Sequence, residues 1–293
     1  MNTKETVKHF YFAFFIFGIG LALSAQTFKN TIKDSTSGEK SEFRIGIRYT
    51  SDYLFMGRSD SLPAPYLSPS IAYIHKSGFF VNTSLSYLTL KEQARIDMFK
   101  VSAGYDFYKN NFESGLSLTQ FVFSEESFAI QSEMSTYLYA YAGYDFNFIM
   151  FNIDGSFGFS EKTDVFLGAE INHTFYGLNN KLRITPAVYL NAGTQNYYSE
   201  YYTNRSSQSG SGKGKGGQNS PSTGTQTIET QKFQVLDYEA DIQVIYKLNK
   251  IKFYASATWA IPVNPSTIST ATGTVTEELQ PGFYWSTGIR FTL

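Results

Sequence analysis

The sequence predicts an all-β protein, a transmembrane antiparallel up-and-down β-barrel of about twelve strands. From Phe43 onward, apolar and polar residues alternate with a period of two, which is typical of strands with one apolar face. Short turns alternate with longer polar connections along the whole chain. Aromatic residues make up 17% of the 293 residues and charged residues also 17%, so the apolar face is unusually aromatic. Outer-membrane barrels combine these three features.

The composition excludes several other functions. Lys and Arg number 24 against 25 Asp and Glu, with no basic block, so no nucleic-acid partner is predicted. The absence of cysteine excludes disulfides, thiol catalysis and cysteine-bound metal centres. Lys213 and Lys215 are each followed by glycine instead of the Ser or Thr of a phosphate-binding loop. We therefore predict no cofactor and no metal site.

The first 25 residues are typical of a secretory signal peptide. Lys4 and Lys8 precede a 14-residue apolar run from Phe10 to Leu23, and the small pair Ser24-Ala25 follows it. A helix that spans a bilayer needs about 20 apolar residues, so this run is too short for a membrane anchor. We expect export through this signal peptide (1–25) to a bacterial outer membrane, a flexible leader over 26–42 and a barrel over 43–293.

Each predicted strand has one apolar and one polar face. In the first strand, Phe43, Ile45 and Ile47 alternate with Arg44 and Arg48. The same alternation recurs in 79–87, 99–107, 149–159, 165–171, 238–248 and 283–291. The aromatic apolar face favours a membrane barrel over a soluble sandwich or lipocalin, in which that face would point inward. Ten or fourteen strands also fit the pattern, because strand ends are predicted only to within a few residues.

The connections between strands predict the topology. Five short turns are expected at 76–78, 109–111, 146–148, 178–180 and 248–250, and six longer connections at 55–65, 91–94, 124–130, 160–163, 199–231 and 264–279. With both termini in the periplasm, every short turn is periplasmic and every longer connection lies outside the cell. Residues 203–227 have low complexity, so we expect 199–231 to be a long disordered surface loop.

The polar faces provide the candidate pore-lining residues. The basic candidates are Arg44, Arg48, Lys100, Arg183, Lys252 and Arg290. The acidic candidates are Glu113, Asp154, Glu170, Asp237, Glu239 and Asp241, together with Glu133 and Asp145. Closure of the barrel should cluster Arg44, Arg48 and Arg290 and place Asp154 opposite them. These charges either create a field across an open lumen or pair with one another and fill it, and strand number alone does not decide between the two.

Three tyrosines on one predicted strand, Tyr137, Tyr139 and Tyr141, are expected to point inward, whereas Met134 is expected on the lipid-facing side. Inward tyrosines can stack against a sugar, or they can fill the lumen as a hydrogen-bonded cluster, which is the interpretation we favour.

Catalysis is not predicted. Hydrolysis needs a base next to a nucleophile or water, and outside the signal peptide the only histidines are His75 and His173, near the periplasmic turns. The acidic run Asp237, Glu239 and Asp241 places carboxylates along one wall without a further motif.

Residues 51–57, with the sequence SDYLFMG, resemble the SDYxFRG opening of the TorF-like family of outer-membrane porins. Met56 stands at the position of the family's arginine. The resemblance implies an outer-membrane barrel assigned as a porin. From the residues themselves we expect a structural role for the motif, with Asp52 and Tyr53 where a strand meets a loop and Gly57 in a turn.

The predicted function is passive diffusion of small hydrophilic solutes through an outer-membrane porin. The alternative is a plugged structural or adhesive barrel that displays its extracellular loops. The expected partners are outer-membrane lipid and lipopolysaccharide, the barrel-insertion machinery, periplasmic chaperones and small solutes, and a homo-oligomer is compatible with this class.

Overall fold

The computed structural model describes residues 40–60, 63–209, 226–228, 232–270 and 273–293. The predicted signal peptide and nearly all of the predicted leader lie outside the described residues. No helix among the described residues is long and apolar enough to cross a membrane.

The described part of the chain contains sixteen strands and one helix, α1 (Asn196–Ser209). In chain order the strands are β1 (Glu42–Thr50), β2 (Tyr66–Ile74), β3 (Phe79–Leu88), β4 (Arg95–Lys109), β5 (Phe112–Phe123), β6 (Thr136–Asp145), β7 (Met150–Phe159), β8 (Asp164–Asn172), β9 (Phe175–Gly177), β10 (Leu182–Gly193), β11 (Gln226–Ile228), β12 (Gln234–Leu248), β13 (Ile251–Pro262), β14 (Thr267–Thr270), β15 (Gly273–Thr276) and β16 (Gly282–Thr292).

Twelve of these strands close into an antiparallel barrel. The order around the ring is β1 to β8, then β10, β12, β13 and β16. β16 pairs with β1, where Arg290 is opposite Gly46, and β10 pairs with β12 along its full length. Closure matters because every backbone amide and carbonyl in hydrocarbon needs a partner within the protein. The predicted fold and strand number are therefore confirmed.

The two faces of each strand differ as the sequence predicts. On β1, Phe43, Ile45 and Ile47 are 38–45% exposed, whereas Arg44 between them is only 2% exposed. The same pattern holds on β16, where Phe283 and Trp285 point out and Tyr284 and Ser286 point in. A water-soluble barrel would have the opposite pattern. The apolar surface that this barrel presents outward is suited to lipid.

The short turns and both ends of the barrel domain lie at one end of the barrel, which we call the turn end. β1 begins there at Glu42, opposite Ile74 of β2, and β16 finishes there. Asparagine at positive φ makes these turns tight, with Asn110 at 53°, Asn147 at 69° and Asn249 at 54°. The longer connections lie at the other end, the loop end, as the alternation of short and long connections predicts.

Two strands bulge at the loop end. The pairing register shifts on β4 near Ile96 and on β12 near Leu236. Asp97 and Leu236 are fully buried as a result, because a bulge turns one extra side chain to the inner face. Asp97 then accepts hydrogen bonds from Ser127 Oγ (2.9 Å) and Ser124 Oγ (3.0 Å). This bulge therefore anchors the connection 124–135 inside the barrel.

Three sequence-based expectations about the loop end are wrong. Met134 is 1% exposed and packs inside the barrel, because β6 begins only at Thr136. Glu133 lies in the same connection and not on a strand. Residues 199–209 belong to α1 instead of a disordered loop, whereas 210–225 and 229–231 lie outside the described residues.

Because the apolar face points outward, a charge placed on that face should destabilise the barrel in lipid. Leu118 lies near the middle of β5 and is 52% exposed on the outer face. We expect Leu118→Arg to lower the free energy of unfolding in lipid vesicles by about 2–4 kcal/mol, because arginine near the bilayer midplane is poorly solvated. Phe148→Arg, at a turn residue that is 75% exposed, is the control and should have little effect. Equal effects of the two substitutions would contradict the assigned membrane face.

Candidate functional site

The candidate site is the lumen of the barrel, and all twelve predicted pore-lining residues are on the inward faces of their strands. Seven of them are buried: Arg44, Glu113, Glu170, Asp237, Glu239, Asp241 and Lys252. The other five are partly buried: Arg48, Lys100, Asp154, Arg183 and Arg290. These residues point inward because successive side chains along each strand point to opposite faces of the barrel.

A basic wall forms where the barrel closes. Arg48 of β1 and Arg290 of β16 flank Tyr254 of β13, with guanidinium carbons 4.8 Å and 5.6 Å from the ring centroid. Lys252 is directly opposite Arg290 in the β13–β16 pair. The predicted clustering of Arg48 and Arg290 is therefore confirmed. Arg44 lies nearer the turn end, where its Nη2 donates to Glu42 at 2.7 Å.

The opposite half of the lumen is filled by tyrosines and carboxylates. β7, which carries Asp154, is the seventh strand of the ring counted from β1 and thus lies across from it. Tyr139 donates to Asp154 Oδ1 at 3.3 Å, and Tyr141 donates to Asp106 Oδ1 at 3.0 Å. Tyr141 reaches across β5 because Gly115 has no side chain, since a Cβ there would lie 2.4 Å from the Tyr141 ring. This cluster agrees with the interpretation that inward tyrosines fill the lumen.

A cavity runs along the basic side. Its lining includes every inward residue of β2, namely Tyr66, Ser68, Ser70, Ala72 and Ile74. Eight residue steps span about 26 Å along a strand, so the cavity follows most of the height of the barrel. Its volume is about 130 Å³. That volume holds roughly ten water molecules, so the cavity is a narrow strip and not a wide pore.

The connection between β1 and β2 folds into the mouth of the barrel as a two-residue hairpin over residues 55–58. The amide of Phe55 donates to the carbonyl of Arg58 at 2.8 Å, and the amide of Arg58 returns a bond of 3.0 Å. Met56 and Gly57 between them have φ values of 49° and 72°, which a tight hairpin turn requires. A Cβ on Gly57 would lie 2.8 Å from Cβ of Asp237, so this turn packs directly on β12. We call residues 55–58 the inward hairpin.

Arg58 holds the inward hairpin in place. Its side chain is buried, and its Nε donates to Glu277 at 3.0 Å. The remaining four N–H groups donate to backbone carbonyls at 3.1–3.2 Å, those of Met56, Leu236, Val263 and Asn264. All five guanidinium donors are therefore satisfied, and they connect the hairpin to β12 and to the residues that follow β13.

Helix α1 completes the closure of the mouth above the tyrosine-filled half. Asp164 of β8 caps it by accepting from the amides of Asn196 (2.8 Å) and Tyr197 (2.7 Å). Tyr197 is fully buried, and its ring centroid lies 5.0 Å from that of Phe55. Tyr201 donates to Asp60 Oδ2 at 3.0 Å. The inward hairpin and α1 thus form one packed unit over part of the lumen.

The residues of the SDYLFMG segment have structural roles. Ser51 Oγ accepts from the amide of Trp285 at 2.9 Å. Asp52 Oδ1 accepts from the amides of Tyr53 (2.8 Å) and Ala64 (2.7 Å), and so joins the two ends of the connection. These contacts agree with the structural interpretation of this segment, whereas its family resemblance stays a prediction.

The structure also locates the remaining polar candidates. His75 Nδ1 and Ser77 Oγ are 2.8 Å apart in an exposed turn, away from the lumen. His173 stacks edge-on against Phe175, with ring centroids 4.5 Å apart. Within the described ranges, no group of three His, Asp or Glu side chains is arranged to hold a metal ion.

Comparison with solved structures gives matches at low sequence identity and with TM-scores below 0.5. No family model and no curated protein matches the chain. The KdgM porin has a TM-score of 0.46 at 12% identity, covering 85% of this chain and 98% of that one. The NanC porin has 0.46 at 11%, covering 86% and 100%. LpxR from Salmonella typhimurium has 0.43 at 11%, covering 85% and 99%. The barrel assignment stands on the strand pairing described above.

Loss of Arg58 should release the inward hairpin. We expect Arg58→Ala to lower the free energy of unfolding by about 3 kcal/mol, because Glu277 loses its buried partner. Hydrogen exchange at the amides of Phe55 and Arg58 should accelerate in parallel. Lys91→Ala, in an exposed connection, is the control. Unchanged protection of these two amides in a folded Arg58→Ala barrel would contradict the role given to Arg58.

Asp52 should make the stability of the mouth depend on pH. Burial raises the pKa of Asp52, although the amides of Ala64 and Tyr53 partly offset this effect. The folded protein thus holds this proton more tightly than the unfolded chain, so the contribution of Asp52 to stability decreases as pH rises from the unfolded pKa, about 3.9, through the raised folded pKa.

An asparagine at position 52 keeps the oxygen acceptor and removes the titration. We predict that unfolding free energies measured against pH fall less steeply with rising pH in Asp52→Asn than in the unaltered chain. Glu278→Gln, at an exposed position, should reproduce the original profile. Superimposable profiles for Asp52→Asn and the unaltered chain would refute the link.

Proposed function

We propose that this protein is an outer-membrane channel through which small hydrophilic solutes diffuse passively. The observation that carries the proposal is the cavity along the whole inward face of β2. The hydroxyl groups of Ser68, Ser70, Ser84 and Ser86 line the middle of this cavity, and water can form hydrogen bonds to such groups. A closed barrel with an apolar exterior and a hydrated interior strip is suited to carry solutes across a bilayer.

The proposed location follows from the same faces. The outer surface of the barrel fits hydrocarbon, and the loop end fits contact with lipopolysaccharide on the outside of the cell. Assembly there requires the periplasmic chaperones and the barrel-insertion machinery that serve this class of protein. The small volume of the cavity favours small solutes and low conductance.

Apolar side chains narrow the cavity at both ends. Ile74 and Phe80 lie at the turn end, and Leu54, Tyr66 and Tyr284 lie at the loop end. Phe80 is 3% exposed and crosses above Gly104 of β4. We propose that these groups form the narrowest points of the path.

A plugged structural barrel is the second candidate, and a specific observation favours it. The inward hairpin is tied by every donor of Arg58, and Tyr197 and Ile130 behind it are at most 1% exposed. A mouth packed this tightly fits a barrel whose task is to display its loops. The two candidates differ in whether the strip along β2 conducts.

Conductance in a planar bilayer tests the proposal. We expect purified, folded protein to give small, discrete current steps. Phe80→Ala should increase the step size several-fold, because it removes an aromatic ring from the turn end of the cavity. Phe79→Ala is the matched control, since Phe79 is 44% exposed on the lipid face of the same strand. Heat-dependent mobility on gels checks that each variant is folded.

The outcomes separate the two candidates. Steps that grow in Phe80→Ala and stay the same in Phe79→Ala support a channel through this cavity. No steps from either the unaltered chain or a folded Phe80→Ala variant would exclude the channel and leave the plugged barrel.

A further inference from the structure

The cavity along β2 is lined unevenly by charge. Its lining includes three cations, Arg48, Lys100 and Arg290, but only one carboxylate, Asp52, at the loop end. The other inward carboxylates do not line it: Glu113, Asp154, Glu170, Asp237, Glu239 and Asp241 all lie on β5 to β12. The charged side chains that line this cavity therefore carry a net positive charge, which favours an anionic solute.

Tyr254 fixes the two arginines as a pair. Its ring lies over Gly288, where a Cβ would be 2.4 Å from the Tyr254 hydroxyl, and that hydroxyl donates to the carbonyl of Ile47 at 3.3 Å. Arg48 and Arg290 both pack against this anchored ring. Stacking on the ring fixes the orientation of each guanidinium, so that its N–H groups lie in a defined plane. These N–H groups are matched to the two oxygens of a carboxylate or phosphate.

Hydroxyl groups separate the arginines from Lys100. Strand pairing places Gly46 opposite both Arg290 and Ser70, Ser70 opposite Ser84, and Ser84 opposite Lys100. Cations thus stand at both ends of one row of small polar residues. Ser84 Oγ is enclosed and has no hydrogen-bond partner among the described residues. An enclosed hydroxyl without a partner is costly unless water or a ligand supplies one.

We propose that this cavity binds small organic anions that carry several hydroxyl groups. The acidic group contacts Arg48 and Arg290, and the hydroxyl groups contact Ser70, Ser84 and, at the other end of the row, Lys100. Carboxylates and phosphate esters share this chemistry. The inference rests on the proposed channel function, in that it names the class of solute that the channel carries.

Calorimetric titration of the detergent-folded barrel tests binding independently of conductance. The probes are gluconate, glycerol 3-phosphate, sorbitol and acetate. Sorbitol has the hydroxyl groups of gluconate without its charge, and acetate has the charge without the hydroxyl groups. We expect gluconate or glycerol 3-phosphate to bind at least tenfold more tightly than sorbitol and acetate.

Variants locate the site. Arg48→Gln should weaken binding of the acidic probe at least tenfold, and Ser70→Ala should weaken it by a smaller factor without removing any charge. Lys76→Gln, in an exposed turn, is the control and should leave binding unchanged. Ser70→Ala also serves if Arg48→Gln fails to fold.

Each outcome decides the inference. Preference for an acidic hydroxylated probe that is lost in Arg48→Gln supports it, whichever acid binds. Binding of all four probes with equal affinity, binding of none, or full binding by folded Arg48→Gln overturns it. A barrel that binds gluconate but gives no current steps would disprove the channel and leave the anion site standing. A barrel that conducts but binds no probe would disprove the anion site and leave the channel standing.

Discussion

The structure depends on the need to pair every backbone amide and carbonyl within the membrane. Twelve strands meet this need by closing on themselves through the β1–β16 pair, which leaves no open edge among the barrel strands. Because side chains alternate along each strand, closure also separates the residues into two surfaces. Phe43, Ile45 and Trp285 face outward, whereas Arg44, Tyr284 and Asp237 face inward. The chemistry of the lumen is thus a consequence of closure.

The lumen of a twelve-stranded barrel is intermediate in width between the filled interior of eight strands and the open channel of sixteen or more. This protein fills one half and leaves a strip along the other. Tyr139 and Tyr141 bond to carboxylates on the filled side, and the inward hairpin and α1 cover it at the loop end. On the other side, small residues such as Ser70 and Ser84 line the cavity beside the arginines. The asymmetry gives the barrel a cavity with a basic lining and a packed half rich in carboxylates.

Strand pattern predicts the barrel well and predicts its mouth poorly. The alternation around Arg48 and Asp154 depends only on the two-residue period, so the inward residues and the closure could be read from the sequence. The role of Arg58 could not, because all of its acceptors except Met56 lie about 180 to 220 residues away and are mostly backbone carbonyls. Helix α1 did leave a signal: Tyr197, Tyr198, Tyr201 and Tyr202 are spaced as on one side of a helix. The Gly- and Ser-rich stretch that follows obscured it.

Two variants, each with one cysteine at one of two neighbouring positions, test most directly which face of the barrel meets lipid and which meets water. The chain has no cysteine of its own that could interfere. Ser70 lines the cavity, and Ile71 is 46% exposed on the outer face. In barrels reconstituted into vesicles, Ser70→Cys should react with a charged, membrane-impermeant thiol reagent, and Ile71→Cys should not. A fluorophore on Ile71→Cys, attached before reconstitution, should be quenched by brominated lipid. Reaction at Ile71→Cys together with protection at Ser70→Cys would contradict both the hydrated strip and the assigned faces.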